Sequence, residues 1–329
     1  MAYFLGVDGG ATSTACAICD ADGRILGAGD GGPSNHILAP GGEERARTAV
    51  ETALGAAEAS AGLHRVEFDS AYFGMTGINR NTEQARLFER AVSGLLTTRI
   101  MQIDNDASAA LAGALACRPG VIVIAGTGSV AYGRDPSGRE ARVGGWGYLF
   151  GDEGSGFALG LAGVRAALRA RDGTDRPTVL ETQIPTRFGK SLGEIPLLYY
   201  QGLVSRPAIA ALAPAVTDAA AAGDAVAVAL VEDAARGLAG VAAAVMRQLT
   251  WPDSTVPLAP VGGVFRAGRV ILDPLKSALT ARVPGAVLVP PRFVPVVGAL
   301  LLALAAAGVL HTPERLALLA ATWELRSGT

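Results

Sequence analysis

Cysteine is scarce in this chain of 329 residues, which has only three. A small, odd number makes no disulfide framework, and a reducing compartment, the cytoplasm, fits it best. An excess of charge of one sign is also lacking: 28 Lys and Arg stand against 30 Asp and Glu, for a formal net charge of -2. Without a basic surplus there is no electrostatic footprint for nucleic acid or for an anionic membrane. Long hydrophobic runs are missing except for one, Val294 to Leu310 (VPVVGALLLALAAAGVL). That run is slightly short for a membrane span and carries Pro295 and Gly298, so a buried core helix is expected there. The opening MAYFLGVDGG has no basic stretch and meets glycines early, which argues against a signal peptide. Two nucleotide fingerprints are absent as well. There is no G-x-x-x-x-G-K-[ST], which excludes a P-loop enzyme, and no G-x-G-x-x-G after the first strand, which weakens a dinucleotide reading.

What is present is an α/β pattern. Half the residues are hydrophobic and 18% are charged, so the chain is globular, and its length suggests two domains. The apolar runs at 3–8, 14–20 and 24–32 read as strands, with a hairpin turn at Asp20-Ala-Asp-Gly23. A helix over about 42–62, a strand at 70–77, a helix near 86–96 and a strand at 99–106 complete a mixed layer. At 121 the pattern restarts: apolar strand, glycine-hydroxyl turn, strand, and a hairpin at Asp135-Pro-Ser-Gly138. Two related domains around a cleft account for this echo. From 151 to about 250 the chain is alanine-rich and helical, and 256–268 reads as one more strand running into a glycine loop.

The two echoing turns carry the first chemical signal. Asp8-Gly-Gly-Ala-Thr12 and Gly126-Thr-Gly-Ser129 each place small residues and hydroxyls between strands. Glycine tolerates unusual dihedrals and leaves backbone N–H groups open to an anion, and Thr12, Ser13, Thr14, Thr127 and Ser129 add hydroxyl donors. A single such turn is more often an ordinary hairpin; a pair suggests a cradle for the phosphates of one nucleotide. Asp8, at a strand end, is placed to hold Mg2+ through water, or simply to cap the turn. Asp104-Asn-Asp106 closes another strand before a strong helix. Asp106 is the candidate base for phosphoryl transfer, against a helix-capping role, and Asp104, one pleat away, is the fallback. The stretch GGWGYLFGDEGSGFALG, 144–160, surrounds one Trp with glycines and follows it with two acids. Gly145, Trp146, Asp152 and Glu153 are the inventory that holds a small polyol; the alternative is a loop with a core Trp and a capped helix.

Taken with Asn35-His36, Asn105-Asp106-Ala107 and Val261-Gly-Gly-Val264, these motifs resemble the N-acetylglucosamine kinase branch of the BadF/BadG/BcrA/BcrD ATPase family. The resemblance runs in order along nearly the whole chain, and the GGWG…GDEGS pairing is its specific part. It implies two ribonuclease-H-like (actin-like ATPase) domains flanking a nucleotide cleft, with ATP and Mg2+ between them. The domains would span 1–117 and 118–310, the second with a helical insertion, and the segment of about 311–329 is a candidate to complete the first. Asp106 would be the catalytic base. Asp8, Gly9, Gly10, Thr12, Ser13, Gly126, Thr127, Gly128 and Ser129 would face the phosphates, and Gly262 and Gly263 the adenosine. Asn35, Thr76, Gly145, Trp146 and Asp152, with Asp106, would touch the amino sugar. The resemblance also implies domain closure and a homodimer. It leaves the segment 172–207 without a counterpart, and Thr76 stands where the human-type kinases carry serine.

Phosphorylation of the 6-hydroxyl of an amino sugar, N-acetylglucosamine first, is therefore the expectation. Glucosamine, N-acetylmuramate, N-acetylmannosamine and glucose remain open, because they differ by one substituent. An iron–sulfur activator of 2-hydroxyacyl-CoA dehydratases would need cysteines past the second turn, whereas the last is Cys117. Cys16 and Cys19 fall on opposite faces of a strand and are expected in the core. A sugar-sensing repressor would need a helix-turn-helix before the first strand, and none is expected here.

Overall fold

The computed structural model describes residues 2–253 and 255–327. The chain divides into two compact units, Met1–Arg118 with Pro291–Thr329, and Pro119–Pro290.

In the first unit β1 (Tyr3–Gly9), β2 (Thr14–Asp20) and β3 (Ile25–Gly31) form an antiparallel meander. After α1 (Gly42–Ala61), β4 (Glu67–Met75) pairs parallel to β1; after α2 (Glu83–Val92), β5 (Thr97–Asp104) pairs parallel to β4. The next element is α3 (Asp106–Leu115), and the sheet order is β3-β2-β1-β4-β5. Because successive side chains of a strand point to opposite faces, β1 feeds two cores: Leu5 and Val7 join one cluster and Phe4 the other. Cys16 and Cys19 divide in the same way, and burial raises both thiols far above the ordinary thiol range.

The second unit repeats the topology. Strands β6 (Gly120–Ala125), β7 (Ser129–Arg134) and β8 (Glu140–Gly144) form the meander. Six helices follow: α4 (Gly156–Arg171), α5 (Leu180–Phe188), α6 (Glu194–Tyr200), α7 (Arg206–Ala210), α8 (Ala213–Ala221) and α9 (Ala225–Gln248). Then β9 (Val256–Val261) pairs parallel to β6, and after α10 (Arg269–Thr280) β10 (Ala286–Leu288) closes the order β10-β9-β6-β7-β8. The echo extends to the hairpins. Asp20 Oδ1 accepts from the N–H groups of Asp22 and Arg24, and Asp135 Oδ1 accepts from those of Ser137 and Arg139.

The domain limits differ from expectation at one end. The apolar run expected to end the second domain forms α11 (Pro295–Ala306), which belongs with α12 (Pro313–Ser327) to the first unit. Small residues cause this. A Cβ on Gly298 would meet Ala109 O at 2.0 Å, and one on Gly6 would meet Leu300 N at 2.5 Å. Hence α11 lies directly on α3 and β1, and an apolar circumference is what such a buried position requires. Among the described residues no single helix is long and apolar enough to cross a membrane.

Candidate active site

In the first unit the strand register assembles the site. Asp8 stands beside Gly74 on β4, and Gly74 beside Asp104 on β5, so the carboxyl ends of three parallel neighbours converge. Thr76 follows β4; its N–H donates to Gly9 O at 2.8 Å, and its hydroxyl donates to Asp106 Oδ2 at 2.5 Å. The turn after β1 is closed by Gly10 N–H donating to Ser13 O (2.8 Å). Ser34 N–H donates to Gly10 O (3.2 Å), and Ser34 also accepts from the Thr14 hydroxyl (3.0 Å). Asn35, next to it, is held through its carbonyl by Arg45 of α1. Asp8, Gly9, Gly10, Asn35, Thr76 and Asp106 are thus tied into one corner, with Thr12 and Ser13 exposed on the turn.

The capping alternative for Asp106 is resolved by its neighbour. Asn105 is the N-cap of α3, its Oδ1 accepting from Ala107 N–H at 3.1 Å, and Asp106 is the first helical residue. The strand therefore ends at Asp104, and the two aspartates do not share a pleat face as expected. Asp104 is buried and held by the protein. Arg80 donates to it through Nε (2.9 Å) and Nη2 (2.6 Å), and Tyr72 and Ser108 add hydroxyls. A carboxylate so engaged is no free base, and the fallback role passes from it. Asp8 differs: among the described residues none donates a hydrogen bond to its carboxylate. Burial, and then the negative charge of Asp106, push its pKa up to about 7.

In the second unit the turn Gly126–Ser129 meets the start of α4. Ser155 caps that helix, and the next two N–H groups donate to the turn, Gly156 to Gly126 O (2.7 Å) and Phe157 to Thr127 O (3.4 Å). In a trans peptide the N–H points opposite to the C=O. With the Gly126 and Thr127 carbonyls turned to α4, the N–H groups of Thr127 and Gly128 face away from it, free to meet an anion.

Ser129 does not share that freedom. Its N–H donates to Asp152 Oδ1 (3.1 Å) and its hydroxyl to Glu153 O (2.7 Å), so the buried Ser129 shapes the turn and leaves no donor for phosphate. Asp152 is also buried, at φ 62°, and its Oδ2 accepts from Arg206 Nη2 at 3.1 Å. Both carboxylate oxygens expected on the sugar therefore already have protein partners. Gly262, at φ 113°, lies where a Cβ would stand 2.5 Å from Ala125 O; Gly263 opens a short 3-10 turn.

The reason expected for the other glycines is corrected. Gly9, Gly10, Gly126 and Gly128 are outside the left-handed region. Gly9 is small because Met75 and Ser34 crowd it, and Gly128 because the Asp152 carboxylate lies 3.0 Å from where its Cβ would be. Gly126 and Gly263 face open space, and nothing in the structure explains them. Positive φ belongs instead to Gly144, Gly145 and Gly147, which bend the loop after β8. That loop excludes a core Trp, for Trp146 is 76% exposed and Phe150 82%. Arg206 and Arg80 were not found from the sequence. Each serves a carboxylate far along the chain, and no local motif marks it.

Comparison with known proteins gives the family. The model of the BadF/BadG/BcrA/BcrD ATPase family matches residues 5–303. An N-acetylmuramic acid/N-acetylglucosamine kinase of Clostridium acetobutylicum is 33% identical over 86% of this chain and 92% of its own length. An N-acetyl-D-glucosamine kinase of Dictyostelium discoideum is 30% identical over 92% and 97%. A crystal structure of a Chromobacterium violaceum protein, provisionally assigned as an N-acetylglucosamine kinase, superposes with a TM-score of 0.73. It is 31% identical, over 92% of this chain and 99% of the other.

Proposed function

Since the chain belongs to the BadF/BadG/BcrA/BcrD ATPase family, we propose that it transfers the γ-phosphoryl group of ATP to the 6-hydroxyl of an amino sugar, N-acetylglucosamine. The observation that carries this reading is the Asp106 carboxylate: relieved of capping by Asn105, oriented by the Thr76 hydroxyl, and beside the buried Asp8 carboxyl. In the reaction the sugar O6 forms a bond to the γ-phosphorus as the bond to the β,γ-bridging oxygen breaks, and Asp106 accepts the hydroxyl proton. The outward N–H groups of Thr127 and Gly128, with the Thr12, Ser13 and Thr127 hydroxyls, meet the developing phosphate charge. Gly9 and Gly10 shape the first turn, Ser129 and Gly126 the second, and Gly262 and Gly263 adjoin the adenosine. Asn35, Thr76, Gly145, Trp146 and Asp152 contact the sugar; each oxygen of Asp152 keeps a lone pair for a hydroxyl.

Asp8 fits a divalent cation arriving with ATP as part of the substrate, because its carboxyl is desolvated, faces a second negative charge and accepts no hydrogen bond from the described residues. Mg2+ held there, probed by omission, would supply charge neutralisation to the phosphates. The family resemblance further supports a homodimer, which light scattering of the purified protein checks, and the scarcity of cysteine a cytoplasmic location.

The test is coupled ADP release with Mg·ATP against N-acetylglucosamine, glucosamine, N-acetylmuramate, N-acetylmannosamine and glucose, each beside Asp106→Asn. Turnover of N-acetylglucosamine is expected, reduced about 10²–10⁴-fold in the variant while ATP still binds. Absence of turnover with all five, or a variant within a few-fold of the parent, would overturn the reading or its base.

A further inference from the structure

The segment 172–207, without a counterpart in the family resemblance, ends by delivering one side chain to the second turn. Arg206 opens α7, whose N-cap is Ser205, and it crosses to the loop that precedes α4. Its guanidinium lies 4.5 Å from the ring centre of Tyr148 and 5.5 Å from that of Phe157, and its Nη2 pairs with Asp152. Its Nε is buried without a hydrogen-bond partner although the side chain is 36% exposed, so the protein holds this arginine by stacking and by one carboxylate.

The other oxygen of that carboxylate fixes the turn. Asp152 Oδ1 holds Ser129 N–H, and the carboxylate packs tightly on Gly128, 3.0 Å from where a Cβ would stand. Asp152 itself stands in the left-handed region, which a residue with a Cβ adopts only when its surroundings hold it there. A buried carboxylate that loses its cation is left as an uncompensated charge, which favours any rearrangement that hydrates it. If Arg206 were removed, Asp152 would release Ser129 N–H, and the carbonyl and N–H directions of Thr127 and Gly128 would no longer be set.

We propose that Arg206 is a positioning residue for the phosphoryl donor: through Asp152 it holds the Gly126–Ser129 turn in the geometry that receives phosphate. The inference rests on the reading of that turn as phosphate-binding. It gives the helical insertion a part in nucleotide binding.

The test is calorimetric titration of Mg·ADP into the full chain without sugar, for the parent, Arg206→Ala, Arg206→Lys, Asp152→Asn and the Ala/Asn double variant. Arg206→Ala and Asp152→Asn are each expected to weaken Mg·ADP about tenfold, the effect of one charge-assisted hydrogen bond. Because both break the same link, the double variant is expected to be no weaker than the poorer single one. Arg206→Lys keeps the charge without the flat stacked fork and should recover part of the loss, which a purely architectural side chain would not show. Affinity within twofold of the parent in folded Arg206→Ala, or losses that multiply in the double variant, would overturn the proposal. If Arg206→Ala does not fold, parental affinity in Arg206→Lys and Asp152→Asn together would overturn it. A parent that does not bind Mg·ADP would instead overturn the reading of the turn on which the proposal stands.

Discussion

At the end of β1 the Asp8 carboxyl is desolvated and then faced by the charge of Asp106, and both effects favour its protonated form. Its pKa in the folded chain, about 7, is above the ordinary 3.8, so the folded state binds this proton more tightly than the unfolded state does. The resulting stability is fully present below about pH 4 and is lost as pH rises toward about 7. Asp8→Asn removes the titration and should show the cost directly. Relative to the variant, the nucleotide-free parent is expected to lose on the order of 2 kcal/mol between about pH 5 and pH 8 in urea unfolding. A pH-independent gap between the two would mean that the carboxyl is unperturbed. The same variant should turn over far more slowly than the parent, since the buried charge that costs stability is the one that suits a cation.

Among the elements, helix packing shows most clearly how glycine decides contact. Gly298 of α11 and Gly113 of α3 let the two helix backbones touch, and a Cβ on Gly298 would meet the backbone of Ala109 and Gly113 at 2.0 and 2.4 Å. Backbone cannot move aside as a flexible side chain can, so Gly298→Ala should destabilise by about 2–3 kcal/mol or more. Gly55, inside α1, is exposed and has open space around its Cβ position. Gly55→Ala should therefore stabilise by up to about 1 kcal/mol through helix propensity alone. Thermal unfolding of the two variants tests the pair, and equal effects would sink the packing account. Features set by neighbouring residues could be read from the sequence: the Asp20 and Asp135 hairpins and the apolar run of β1. Features set by distant residues could not. Arg206 is 54 positions from Asp152, and the N–H and hydroxyl of Ser129, which suggest a phosphate donor, are taken by Asp152 and Glu153. In Asp104-Asn-Asp106 the sequence offers three capping side chains, and the choice of Asn105 is made by the point at which β5 gives way to α3.

For the whole molecule, the repeated strand order was legible because each half carries its own turns and hairpins. The return of the C-terminal helices to the first unit was not, for an apolar circumference says that α11 is buried without saying against what. The cores of the two units differ accordingly. The large cluster of the second unit is drawn entirely from residues between Val121 and Ala286, whereas Phe4, Ala17 and Tyr72 of the first unit share a cluster with Phe293 to Leu319. Val296, Val297, Leu300, Leu301 and Leu304 are almost completely buried there. At ~1.5–3 kcal/mol per side chain their burial is worth on the order of 10 kcal/mol, comparable with the ~5–15 kcal/mol that holds a typical domain folded. A chain truncated after Pro290 should therefore keep the second unit and lose the first. Hydrogen exchange would show β6, β7 and β9 still protected and β1, β2 and β4 exchanging freely. Protection of β1 equal to that in the full chain would mean that the remaining α1 and α2 face suffices, and that α11 contributes little to the fold it completes.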